Sequence, residues 1–139
     1  MERKIFTVSQ ANLALPRVSC LVTGLQERHR WVRAHPQQVP LLVRHYQIVN
    51  EGPVNSEYFE TLIGIRKSLR ELEEIGVQVK DISTGLVDFP ARMYGRDVLL
   101  CWRLGEDNVG FWHDLEGGYT GRQPLPDGGG EPETGKQGH

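Results

Sequence analysis

The sequence predicts an α+β fold, an antiparallel helical hairpin followed by a small three- or four-stranded antiparallel β-meander. Two observations lead there. Apolar residues recur at three- and four-residue steps as far as Gly76, and beyond it they alternate with polar ones. The alternating runs are short and separated by turn sequences, which suits a meander. At 139 residues the chain is long enough for one modest core. The expected domain spans 1–122, with the helical hairpin at 7–75 and the β-unit at 77–122.

Thr7 and Gln10 form a capping-box pair, in which each side chain can satisfy the other residue's backbone N–H. Ala11, Leu15, Val18, Val22 and Leu25 then make one apolar stripe. Pro16 has no N–H to donate, so a kink near Asn12 or a late start is expected. The helix should run to about Ala34, because His35 precedes Pro36, and the helical region should be kinked or broken near Pro36–Pro40. Pro40 suits the first turn of a further piece carrying Leu42, Tyr46 and Val49, ended by Asn50 to Pro53. Asn55 or Ser56 can cap the next helix, with Tyr58, Leu62, Ile65, Leu69 and Leu72 on one face and Gly76 as its left-handed terminator. Neither stripe is stable alone in water, so the two helices should pack together.

Past Gly76, Val77–Lys80 can form a strand before the Ser83–Gly85 turn. LVDFPAR, DVLLCWRL and NVGFWHDL follow as strands, separated by MYGR and GEDN. With Tyr94-Gly95 as a two-residue loop and GEDN as a four-residue one, Asp88 stands opposite Cys101, and Cys101 opposite Trp112. One face then carries Val87, Phe89, Ala91, Val98, Leu100, Trp102, Leu104, Val109, Phe111, His113 and Leu115 and should meet the helices. Asp88, Cys101, Arg103, Trp112 and Asp114 lie on the other, a polar face suited to binding. In this register His113 is on the wrong side to activate the thiol, and Asp88 opposes a thiolate. A bulge at Gly110 would bring His113 round to Cys101 and Asp88, giving a metal site or a Cys–His–Asp set. The bland alternative is a buried thiol, a histidine bonded to a carbonyl, and an Arg–Asp surface pair.

The formal net charge of −2 provides no global field for nucleic acid or acidic membranes, and no apolar run is long enough for a span. Two isolated cysteines, Cys20 and Cys101, suit the reducing cytoplasm and lack zinc-type CxxC spacing. ERHRWVR, Glu27 to Arg33, could face an acidic partner or RNA, but cations also favour a helix C-terminus. His29, His35 and His45 have no ligand spacing, GGYTGR follows no phosphate-loop pattern, and GEDN is too short for a calcium loop. From 123 to 139 the chain is rich in Gly, Pro and charge, and a disordered tail is expected.

GLVDFP at Gly85–Pro90, CWRLGE at Cys101–Glu106, the Trp112-His113 pair and Gly121-Arg122 make a specific set. With FTVSQANLALP near the start, they resemble the uncharacterised prokaryotic family catalogued as domain of unknown function 2203, over about residues 5 to 125. The resemblance implies a helical hairpin joined to a small β-unit and transfers no activity. It draws notice to Asp88, Cys101, Arg103, Glu106, His113 and Arg122, which fall in the matching segments. The Pro36 and Pro40 segment departs from the family, where that region is more charged and uninterrupted.

The leading expectation is a small cytoplasmic, non-enzymatic interaction or regulatory module acting as a homodimer through its helices, with room for an unknown protein or small-molecule partner, and with no cofactor, membrane or nucleic-acid partner expected. The alternative is a small-ligand or metal-binding, even hydrolytic, protein using the Asp88, Cys101 and His113 patch. Candidate binding residues are Asp88, Cys101, Arg103, Glu106, Trp112, His113 and Arg122.

Overall fold

In the computed structural model, which describes residues 4–35, 56–117 and 121–126, two helices precede an antiparallel sheet of five strands. Helix α1 spans Val8–Arg33. Its capping box is complete: Gln10 N–H donates to Thr7 Oγ1, and Thr7 N–H donates to Gln10 Oε1, both at 3.0 Å. Pro16 lies inside α1, and the helix nonetheless starts at the box. Proline cannot donate to the Asn12 carbonyl and its ring crowds it, yet the helix continues through this position to Arg33. The expected break near Pro36–Pro40 and the helical piece around Tyr46 fall outside the described residues.

Helix α2 spans Ser56–Ile75. At its end Gly76 takes φ +105°, Gly76 N–H donates to the Glu73 carbonyl and Val77 N–H to that of Leu72, each at 3.0 Å. This paired termination satisfies carbonyls the helix would otherwise leave bare, and buried Leu72 and Val77 supply its apolar contact. The helices run antiparallel: Arg17 meets Glu71 at 3.0 Å, while Trp31 meets Tyr58 with ring centroids 5.6 Å apart. No helix among the described residues is long and apolar enough to cross a membrane.

The strands are β1 (Gln78–Asp81), β2 (Leu86–Met93), β3 (Arg96–Arg103), β4 (Phe111–Asp114) and β5 (Gln123–Pro124), in that spatial order. The sheet thus exceeds the three or four strands expected, since Gln123 pairs with Trp112 and Pro124 with Phe111 beyond Arg122. A two-residue edge strand ending in proline is too short to show alternation. On the inner face Val87, Phe89, Ala91, Val98, Leu100 and Trp102 pack with Ala11, Leu15, Val18, Val22 and Leu25 of α1. Burying each large aliphatic side chain contributes about 1.5–3 kcal/mol. Before α1, Phe6 N–H donates to the Pro90 carbonyl at 2.7 Å, and the Phe6 ring meets Phe89 edge-on at 5.1 Å.

The β2–β3 hairpin has the expected register, with Asp88 opposite Cys101. Tyr94 and Gly95 both adopt positive φ, 54° and 78°, the two-residue turn whose twist matches the strands. The β3–β4 register differs by one residue: Cys101 stands opposite Phe111 rather than Trp112, and Leu99 opposite His113, with no break in the pairing. The four-residue GEDN turn is replaced by a longer loop, 104–110. Trp102 Nε1–H donates to the Glu106 carbonyl at 3.0 Å, and Arg103 N–H donates to Glu106 Oε1 at 2.9 Å. Val109, buried, donates its N–H to Asn12 Oδ1 of α1 at 2.8 Å. With Val109 committed to the helix, pairing begins at Phe111, and the shift exchanges every side chain of β4 between faces. Trp112 therefore joins the core, while Phe111 and His113 turn to the face of Asp88 and Cys101. Leu115, expected inside, is 56% exposed.

Candidate metal centre

Adjacent central strands bring Asp88 of β2 and Cys101 of β3 directly opposite each other, and the shifted β4 adds His113. All three side chains are buried. Asp88 and Cys101 are there because apolar alternation on both sides fixes the register, and His113 because the long loop does. One ligand atom from each residue lies within 4.8 Å of the other two.

His113 is oriented from both ends. Its Nδ1 is 2.7 Å from the Asp114 carbonyl. A carbonyl only accepts, so Nδ1 carries a proton and donates. Nε2 faces the carboxylate, 3.2 Å from each Asp88 oxygen. A neutral imidazole would set its lone pair against those of an ionised carboxylate, so a proton or another cation must lie between them. Burial pushes the Asp88 carboxyl above its ordinary range, against the opposing effects of His113 and Lys80. Lys80 Nζ stands 3.9 Å from Asp88 Oδ2.

Cys101 has a second neighbour. Arg122 Nε–H donates to its Sγ at 3.4 Å, and Arg122 Nη2 donates to Glu106 Oε1 at 2.7 Å. The guanidinium lies over the Phe111 ring at 3.9 Å. Burial pushes the Cys101 thiol up, with the Arg122 hydrogen bond opposing and the Asp88 charge adding to the rise. For Glu106, burial acts upward, yet the hydrogen bonds from Arg122 and from Arg103 N–H outweigh it and hold the carboxyl below its ordinary value. Burial opposes the Arg122 charge, but Glu106 and Cys101 more than compensate, and its pKa lies above the ordinary arginine value.

Of the residues singled out from sequence, Asp88, Cys101 and His113 meet, and Glu106 and Arg122 adjoin them. Arg103 contributes its backbone N–H to Glu106, while its side chain is exposed. Trp112 is on the opposite face. Two neighbours were not singled out as binding residues. Phe111, placed inside by the four-residue turn, underlies Arg122. Lys80 occupies the irregularity where β1 skips from Val79 to Asp81 against β2, and a bulge of that kind has no sequence signature here.

Divalent zinc takes nitrogen and oxygen ligands at about 2.0–2.2 Å and thiolate at about 2.3 Å, so tetrahedral N and O ligands stand about 3.3 Å apart. The His113–Asp88 separation of 3.2 Å already matches. A sulfur ligand stands about 3.6 Å from the others in that geometry, leaving the thiol up to about 1 Å to travel within the cluster's 4.8 Å limit. The Nδ1–H to carbonyl bond is the usual support of a ligating histidine.

The family model described as "Uncharacterized conserved protein (DUF2203)" matches residues 4–125, a range that includes the whole cluster. No curated protein and no solved structure matches the chain.

Proposed function

The chain belongs to the DUF2203 family, and from the geometry of its site we propose that it binds a divalent transition metal through Asp88, Cys101 and His113. The observation that carries this is the convergence of three buried ligand atoms within 4.8 Å, with His113 pinned so that Nε2 faces the Asp88 carboxylate. Charge supports it as well. An ionised Asp88 and a Cys101 thiolate together bear two negative charges, which a dication neutralises in a buried site. A mixed sulfur, nitrogen and oxygen set suits zinc or a neighbouring transition metal, whereas calcium and magnesium favour all-oxygen sites. Three protein ligands leave one tetrahedral position for water or a small ligand, as hydrolytic zinc sites do.

Elemental analysis of protein purified without chelator, followed by stripping and zinc titration, tests this. One zinc per chain is expected, lost in Cys101→Ser and in His113→Ala. A wild-type chain that binds no metal overturns the proposal.

A second reading, self-association through the helices, is supported by Phe59 and Ile63, 39% and 51% exposed and one turn apart on α2. Light scattering should give a dimer at micromolar concentration, and Phe59→Ser with Ile63→Ser should return it to monomer. A wild-type monomer contradicts this reading. With two free cysteines, the cytoplasm is the compartment that suits either reading.

A further inference from the structure

Arg122, just ahead of β5, approaches the Asp88–Cys101–His113 cluster and is held at three points. Its Nε–H donates to Cys101 Sγ at 3.4 Å, its Nη2 donates to Glu106 Oε1 at 2.7 Å, and its guanidinium lies 3.9 Å over the Phe111 ring. The side chain is 11% exposed, against 21% for Glu106. Glu106 is itself fixed, because Oε1 accepts Arg103 N–H at 2.9 Å. This clamp keeps one cationic N–H on a fully buried sulfur. A pairing whose only purpose was to hold the loop would need the Glu106 contact alone.

We propose that Arg122 positions and tunes the thiolate donor of the metal centre, with Glu106 as the residue that holds Arg122 in place. The inference rests on the Asp88–Cys101–His113 set being a metal site. A metal-bound thiolate retains lone pairs, and for a sulfur that is itself fully buried an N–H donor from the protein is their natural partner. That hydrogen bond fixes the direction of the sulfur and withdraws electron density from it. Charge transfer from sulfur to metal then requires more energy. Partners of this outer kind typically account for about 10–100-fold in metal affinity.

Cobalt(II) serves as the probe, since its charge-transfer band reports the sulfur directly. The wild type should bind one cobalt with a thiolate band in the near ultraviolet. Arg122→Met keeps the aliphatic stem over Phe111 and removes the donor. Its band should move to longer wavelength and its affinity should fall about 10–100-fold. Arg122→Lys should recover part of the shift. Glu106→Gln loosens the clamp without touching the sulfur and should give a smaller shift in the same direction. If circular dichroism shows Arg122→Met unfolded, the Glu106→Gln band decides. An unchanged band and affinity with cobalt still bound one to one overturns the role of Arg122. No cobalt uptake by the wild type, or uptake without a thiolate band, instead overturns the metal site beneath it.

Discussion

Replacing Asp88 with asparagine separates a carboxylate kept for a metal from one kept for the fold. The side chain is 2% exposed, and its oxygens stand 3.2 Å from His113 Nε2. Removing one member of a structural buried ion pair typically costs about 3–5 kcal/mol. Asparagine, however, fits this site without a charge. Its amide can donate to His113 Nε2, whose tautomer the Asp114 carbonyl already fixes, and its oxygen still accepts. The burial penalty that raises the Asp88 pKa disappears with the charge. Urea unfolding of the metal-free protein at neutral pH should therefore place Asp88→Asn within about 1 kcal/mol of wild type, whereas Asp88→Ala, which strands Nε2, should lose about 1–3 kcal/mol. Zinc affinity should collapse in both. A loss of 3 kcal/mol or more in Asp88→Asn would make the carboxylate structural, and wild-type zinc binding by that variant would refute the ligand assignment.

The raised Asp88 pKa also sets a pH dependence. The native state holds that proton more tightly than the unfolded chain, so it binds more protons in the window between the two pKa values. Metal-free stability relative to Asp88→Asn should then fall as pH rises from 3.8 through the raised value and level off above it, as measured by urea melts in an acid-to-neutral series. Gly76→Ala puts a side chain at φ +105°, where its Cβ would meet Lys4 Cβ at 3.0 Å. It should cost about 1–3 kcal/mol in chemical unfolding, and a neutral result would contradict the paired helix termination. Asn12→Ala strands the buried Val109 N–H and should cost about 1–3 kcal/mol. Hydrogen exchange at Val109 should quicken first, and unchanged protection would show that the loop does not depend on α1.

Local chemistry made much of this fold legible. Thr7 and Gln10 announce the start of α1, Gly76 the end of α2 and the change of period, and Tyr94-Gly95 a tight hairpin whose closure fixes Asp88 opposite Cys101. What local chemistry could not supply is the β3–β4 register. That depends on Asn12 and Val109, 97 positions apart, and on Trp102 and Glu106 building a loop where GEDN alone reads as a tight turn. One residue of shift removed Trp112 from the polar face and brought His113 onto it. The pairing of Glu106 with Arg122 is similarly a long-range event, since β5 has no pattern of its own. From sequence, Arg122 reads as closing the return loop after the last strand against an Asp or Glu, but nothing local names Glu106 as that partner.

The most direct measurement is the X-ray absorption spectrum at the zinc edge of the loaded protein. One sulfur at about 2.3 Å is expected, with the remaining ligands nitrogen or oxygen at about 2.0–2.2 Å and the sulfur shell absent in Cys101→Ser. A first shell without sulfur in the wild type would contradict the metal site.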